Sequence, residues 1–192
     1  MNKQVSKFVP SDHAGQVDAR YFIPKALSRV EGPVKVLDVG CGHGTSYQHF
    51  CASKREIVWT GLDIEASPEV ATRPETDLDF RTYNGTEFPF RDEEFDMVYS
   101  CQAFEHIRYP ELVLSEISRV LVDSGVFFGS VSALEPYHSF SYWSFTPYGW
   151  VSLLESAGLK PVELRPGIDA RALIERKYYG IGPITNAWFR RS

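Results

Sequence analysis

A doubly wound α/β fold, with a mostly parallel sheet and helices on both faces, is what this sequence predicts. Three observations point to it. Short β-branched runs recur along the chain, and two of them close on a glycine or an acid. Segments of helical spacing lie between them, and Gly or Pro punctuates the joints. Strand, helix and strand in alternation bury a parallel sheet between two helical layers. A chain of 192 residues, 43% hydrophobic and 23% charged, suits one globular domain.

Residues 1–12 read as polar and loose. In 13–30, Val17, Tyr21, Ile23, Leu27 and Val30 are apolar at mixed spacing around Pro24, giving one helix or two short ones. Gly32-Pro33 breaks the chain. Val34 to Val39 reads as a buried first strand running into a glycine turn, and Thr45 to Ala52 as helix. Ile57 to Leu62 is a second strand closing on Asp63, Leu78 to Tyr83 a third, and Phe95 to Ser100 a fourth. Pro110 opens a helix whose stripe is Val113, Ile117, Val120 and Leu121, and Ser124-Gly125 is read as its end. Val126 to Val131 is a fifth strand. Thr146 as N-cap and Pro147 at N1 begin a last helix, with Trp150, Leu153, Leu154 and Ala157 as its stripe and Gly158 at C′.

The net charge is −5, which argues against a nucleic-acid partner, since phosphate neutralisation needs surplus Lys and Arg. Cys41, Cys51 and Cys101 are too few and too scattered for a disulfide framework or a metal site, so no metal is expected. No leader-like apolar stretch follows Met1 and no apolar run approaches membrane-spanning length. The expectation is a reduced, cytoplasmic protein with no membrane partner.

The sharpest signal is Val36-Leu37-Asp38-Val39-Gly40-Cys41-Gly42-His43-Gly44. Glycines at the end of a first strand let the backbone turn tightly and approach a ligand. A dinucleotide fingerprint is not met, because Thr45 stands at the third glycine position. No Lys or Arg occurs from Asp38 to Ser53, so a pyrophosphate there would face Asp38 without a cation. A ligand carrying an ammonium and a sulfonium suits the site better. Asp63, at the end of the second strand, is placed to accept hydrogen bonds from both hydroxyls of an adenosine ribose.

The runs VLDVGCGHGT, GLDI and NGTEFPFRDEEFDMVYS, with the FEH that follows, resemble class I S-adenosylmethionine-dependent methyltransferases, and are most similar to the broad type 11 group. The resemblance covers about residues 34–165 and implies a Rossmann-like sheet with S-adenosylmethionine as cofactor and S-adenosylhomocysteine as product. It assigns Asp38 and the loop Gly40, Cys41, Gly42, His43 and Gly44 to the methionine half of the cofactor. It assigns Asp63 to the ribose and Ile64 to the adenine face. Asn84, with Gly85 and Thr86 beside it, stands where the family has an Asp for the adenine amino group. Ser100 and Cys101 lie beside the cofactor. A sixth strand is expected over Leu159 to Arg165. No seventh is evident in 166–192, so the tail reads as abbreviated or as part of a longer chain.

Methyl transfer from a sulfonium is one in-line displacement, in which alignment can contribute roughly 7–11 kcal/mol. His106 matches the family's histidine after the fourth strand, as a catalytic base or as a residue shaping the pocket; Glu105 reads as a solvated or structural acid. Seven aromatics fall between Tyr137 and Trp150. Of these, Tyr137, Phe140, Tyr142 and Trp143, with Tyr21 from the N-terminal region, are candidate walls of an acceptor pocket, and His138 is a second catalytic candidate. The single domain then divides into an N-terminal cap (1–32), a cofactor core (34–132), an aromatic substrate loop (133–150) and the tail (166–192). The expected activity is methylation of a small-molecule acceptor, most readily an oxygen of a sugar or biosynthetic intermediate. The other reading is a non-catalytic cofactor-binding module that regulates or scaffolds a partner. An NAD-dependent oxidoreductase is disfavoured by the missing third glycine and by Asp38.

Overall fold

Five parallel strands in the order β3-β2-β1-β4-β5 form the centre of the computed structural model, which describes residues 3–12, 17–74, 77–133, 140–167 and 178. They are β1 (Val34–Val39), β2 (Ile57–Ile64), β3 (Asp79–Tyr83), β4 (Phe95–Cys101) and β5 (Leu121–Ser130), and the α-helices among the described residues are α1 (Lys3–Ser6), α2 (Ile23–Leu27), α3 (Tyr47–Cys51), α4 (Pro68–Ala71), α5 (Pro110–Val120) and α6 (Pro147–Ser156). The strand order reverses between β1 and β4, and a crevice opens at the carboxyl ends of strands flanking such a reversal.

The period of two along β1 sorts its side chains onto two cores. Leu37 and Val39 join Val98 beneath the helices α5 (Pro110–Val120) and α6 (Pro147–Ser156). Val34 and Val36 join Met97 and Tyr99 on the other face, under Ala19, Ile23 and Phe50. Asp38 shares that second face with Val36, so a carboxyl stands in line with the core at the end of the strand.

Several expectations hold at the level of single caps. The Thr146 side chain accepts from the Gly149 N–H and Pro147 starts α6, while Gly158 takes φ +80° just past its end. The 13–30 region forms two short pieces, a 3-10 turn (Ala19–Phe22) and a helix (Ile23–Leu27) in which Pro24 lies in the first turn.

Three readings are corrected. Residues 3–12 are not loose: Lys3–Ser6 is helical with Val5 buried, and the Phe8 carbonyl accepts from the Leu164 N–H at 2.9 Å. Leu159 to Arg165 forms no strand: Leu159 donates back to Leu154, Pro161 has no N–H to donate, and Leu164 donates to Phe8 of the N-terminal segment. The long helix stops at Val120, not at Ser124-Gly125. Leu121 turns extended (ψ 137°) and already pairs with Phe95, and the register shift before Met97 accommodates the residues between Leu121 and Val126. Leu121 keeps the burial expected of the helix stripe, but as the first residue of β5. Residues 168–177 and 179–192 lie outside the described residues, as do the weak helix read at 170–177 and any seventh strand there.

Candidate functional site

The β1 turn carries Gly40, Gly42 and Gly44 at φ +72°, +52° and +75°, a region where only glycine is free of strain. A Cβ on Gly40 would stand 2.3 Å from the Cβ of Ala103, so the turns after β1 and β4 close on each other at the strand-order reversal. Asp38 is 2% exposed, and its carboxyl accepts the Ser46 hydroxyl from the residue before helix α3 (Tyr47–Cys51, one turn beyond the glycines). Burial pushes this carboxyl up to about 7 against the Ser46 bond, and the nearby Asp63 adds to the rise. Such a group favours a cationic ligand, whose charge would restore the carboxylate.

Asp63, also buried, accepts the Gly42 N–H at 2.8 Å on one oxygen and the Ile64 N–H at 2.8 Å on the other. Its carboxyl is raised by burial, an effect these two bonds oppose. Each oxygen keeps a lone pair for a further donor. Ile64 beside it is exposed, with its apolar face free for a ring. Two buried acids on neighbouring strands under a cradle that a Cβ would fill therefore fit the two polar ends of an adenosyl amino acid.

A cleft of about 410 Å³ lies over Asp38, Gly40, Cys41 and Ser46. Tyr99, Cys101 and His49 line its sides, and Asp18, Ala19 and Arg20 of the N-terminal turn close it. The cap region thus reaches the cleft, but through these three residues. Tyr21 faces elsewhere, with Lys25 4.5 Å and Arg165 5.0 Å from its ring centre. The sequence offered a signal for Asp18, which caps the turn by accepting the Arg20 N–H at 2.9 Å. Nothing in the spacing announced Arg20 as a cleft residue.

Arg73 was missed as well. Its guanidinium donates twice to the Gly42 carbonyl (2.7 and 3.0 Å) and stacks 3.7 Å from the Phe80 ring centre. The absence of a cation within the loop's own sequence is thus answered from 31 residues away. Cys41, with its sulfur 3.6 Å from Arg73, is a buried filler whose thiol burial pushes up.

Other candidates are placed differently from expectation. Ser100 is buried and donates to the Val39 carbonyl at 2.9 Å, lacing β4 to β1 instead of facing the cleft. The Asn84 carbonyl oxygen already accepts from the Thr86 N–H, the Thr86 hydroxyl and the Glu87 N–H at 2.9–3.0 Å, so it closes its own turn and is not left for a base. Gly85 takes φ +94° in that turn. His43 pairs with the Thr72 hydroxyl at 3.1 Å. His106 ends a 3-10 turn (Phe104–His106), half-buried, and it does not line the Asp38 cleft. It lies near Glu69 across the loop. That carboxyl is held below the usual range by local hydrogen bonds, its own backbone first and Ser67 next, with His43 and His106 adding to the effect.

Glu105 is not solvated. It is 0% exposed, and a carboxylate oxygen accepts the Ser132 N–H at 3.4 Å. Its backbone carbonyl accepts the N–H groups of Tyr142 and Trp143, and the Trp143 indole donates to Ile107 at 2.8 Å. The aromatic segment is thus fastened to the turn that carries His106. Three of its rings are exposed, Phe140 at 83%, Tyr142 at 61% and Trp143 at 44%, and none of the three lines the cleft, while Phe145 and Trp150 pack into the core. Tyr137 and His138 lie outside the described residues.

Residues 37–129 match the family model described as a methyltransferase domain. The chain is 33% identical over 112 residues to a fatty-acid O-methyltransferase of Mycolicibacterium smegmatis, covering 56% of this chain and 40% of that one. It is 26% identical over 173 residues to a ubiquinone biosynthesis O-methyltransferase of Bartonella quintana, covering 82% and 68%. Against a phthiotriol/phenolphthiotriol dimycocerosates methyltransferase of Mycobacterium tuberculosis it is 30% identical, over 58% of this chain and 42% of that one. A chain of the Haloferax volcanii Trm112 methyltransferase activator complex aligns with a TM-score of 0.57 at 26% identity, over 73% of this chain and 70% of that one. The cyclase SpnF shares the fold, with a TM-score of 0.56 at 20% identity over 79% and 62%. The chain spans well under half the length of two of these curated relatives and about two thirds of the third.

Proposed function

We propose that the chain is a class I S-adenosylmethionine-dependent methyltransferase, as the matched methyltransferase domain and the similar methyltransferases support, and that it methylates an oxygen of a small-molecule biosynthetic intermediate. The observation that carries the reading is the pair of buried carboxyls, Asp38 and Asp63, at the ends of neighbouring strands beneath a three-glycine turn. S-adenosylmethionine brings a methyl group already activated on sulfur. What the chain adds is binding and alignment. Asp63 takes the ribose hydroxyls on its remaining lone pairs, Asp38 takes the ammonium, and the glycine turn brings backbone close without side-chain obstruction. His106 lies on the turn after β4, outside the lining of the Asp38 cleft, and is the candidate to shape the acceptor's approach or receive its proton. A base there would contribute about 10²–10⁴ in rate for a hydroxyl acceptor.

The oxygen acceptor is supported by the relatives' names, a fatty-acid and a ubiquinone-biosynthesis O-methyltransferase. Both name small molecules with apolar portions, and neither names a sugar. We assign the cap to residues 1–32, the cofactor core to 34–132 and the acceptor side to 133–150. A non-catalytic cofactor-binding module is the second reading, and the exposed Phe140 and Tyr142 speak for it, because among the described residues neither of these candidate acceptor walls lines the cleft. Incubation with methyl-labelled S-adenosylmethionine and a panel of long-chain carboxylates, catechols and other phenols separates the two. Labelled ester or ether is expected on at least one class. Tight cofactor binding with no labelled product on any acceptor would favour the module.

A further inference from the structure

The end of β4 carries a polar cluster that the cofactor does not call for. Cys101 lines the Asp38 cleft. Its register partner on β5 is Ser130, so the two side chains stand on one face of the sheet. The Cys101 sulfur lies 3.4 Å from the Ser130 Oγ, and the Gln102 Nε2 donates to the same oxygen at 3.1 Å. Gln102 also donates its backbone N–H to the Ser130 carbonyl at 2.9 Å, and it takes φ +53°. A residue with a side chain seldom adopts that conformation, and strain of this kind gathers at functional sites. A strained backbone thus holds the Gln102 amide against the two residues that end β4 and β5.

The cluster is an array of donors beside a cleft. Inside it, one Gln102 N–H and one hydrogen of the thiol–hydroxyl pair are engaged. The other Gln102 N–H and the remaining hydrogen of that pair have no acceptor among the described residues. Adjacent free donors complement a group that only accepts and carries its oxygens side by side, which is a carboxylate. We infer that the methyl acceptor is a carboxylic acid whose carboxylate docks on Ser130 and Gln102, with Cys101 positioning the Ser130 hydroxyl, and that the product is a methyl ester. This rests on the methyltransferase reading above and narrows it. One carboxylate oxygen forms the bond to the methyl carbon as the carbon–sulfur bond breaks, and that bond's electron pair stays on sulfur. The negative charge of the carboxylate and the positive charge of the sulfonium cancel, and no proton moves. The step needs no base, which agrees with His106 lying outside the cleft lining.

The test incubates the full chain with methyl-labelled S-adenosylmethionine and a panel of butanoate, octanoate, hexadecanoate, benzoate and catechol. Label on a carboxylate is expected, and mild alkali should release it, as it does from an ester and not from an ether. For the carboxylate that reacts, Ser130→Ala should raise KM about tenfold, the scale of one hydrogen bond to a charged group at a partly exposed site, with kcat moving far less. Ser130→Thr keeps the hydroxyl and should stay within about threefold of the wild-type KM. Gln102→Gly should also raise KM, yet cost no stability in urea unfolding, because it releases the positive φ. Each variant should bind S-adenosylhomocysteine within about twofold of the wild type by calorimetry, which a collapsed strand end would not allow. Alkali-stable label on catechol alone would overturn the carboxylate assignment and leave the methyltransferase reading standing. An esterified carboxylate whose KM is unchanged in Ser130→Ala would overturn the docking assignment. A chain that binds S-adenosylhomocysteine but labels nothing on the panel would overturn it too. A folded wild type that does not bind S-adenosylhomocysteine would overturn the methyltransferase reading itself, which separates the two failures.

Discussion

The two sides of the β4 turn are built on different principles. On the β1 side the site is made of backbone: glycines at positive φ, an approach to Ala103 so close that a Cβ on Gly40 would stand 2.3 Å from it, and two acids locked by hydrogen bonds to Ser46, Gly42 and Ile64. On the aromatic side the segment is fastened by two backbone bonds to the Glu105 carbonyl and by the Trp143 indole on the Ile107 carbonyl, while Phe140 and Tyr142 stand exposed. A backbone-built site tolerates almost no substitution. A surface built from side chains can be rewritten without touching the fold. That contrast suits a protein in which one ligand is fixed and the other is specific to each relative.

The comparison is broken most severely at Gly40. Gly40→Ala must open the contact with Ala103 and adopt a positive φ, so a loss of about 3 kcal/mol in urea unfolding is expected. Binding of S-adenosylhomocysteine should vanish with it. If the variant is as stable as the wild type, the two turns are not as close as described.

Next in size is Asp38. Its folded-state carboxyl lies at about 7, above the value near 4 of an unfolded chain. The folded apoprotein therefore holds a proton that the unfolded chain releases. The stability this group contributes is present below pH 4 and is lost as pH rises from about 4 to 7. A cationic ligand needs the carboxylate, so S-adenosylhomocysteine affinity should rise by up to about tenfold per pH unit below 7 and level off above it. Asp38→Asn should flatten that profile. A wild-type profile already flat from pH 5 to 8 would contradict the pairing of a buried acid with the ammonium.

A smaller effect belongs to Arg73. Arg73→Met keeps the stacking volume over Phe80 but gives up both bonds to the Gly42 carbonyl, and about a tenfold weaker cofactor affinity is expected from calorimetry. Unchanged affinity would mean the loop holds its shape alone. Smallest of all, Phe140→Ala and Tyr142→Ala should change stability by less than about 0.5 kcal/mol and leave cofactor affinity unchanged. Any effect should appear in the acceptor KM. A loss of cofactor binding in either would erase the distinction between the two sides.

What could be read from the sequence follows the same division. The β1 boundaries, the α6 cap and the acid at each strand end are local patterns, written within a few neighbouring residues, and Val34–Val39 lies where the β-branched run put it. The contacts that complete the cleft are not local. Arg20 and Asp38 line one cleft only because the chain folds, and Arg73 reaches Gly42 across two helices and a strand. Asn84 was matched by position to a base-binding Asp, and the turn it closes with Thr86 and Glu87 was legible from its short side chain but was not read. The exposure of Phe140 and Tyr142 was not legible in the aromatic run, since an abundance of rings says nothing of which way each one faces.

The central claim is that the Asp38–Asp63 cradle binds an adenosyl amino acid, and calorimetric titration of wild type and Asp63→Ala with S-adenosylhomocysteine tests it most directly. One-to-one binding in roughly the micromolar range by the wild type, weakened at least about a hundredfold in a folded Asp63→Ala, is the predicted result. A folded wild type that shows no heat with this ligand, or an Asp63→Ala that binds it equally well, would contradict the account.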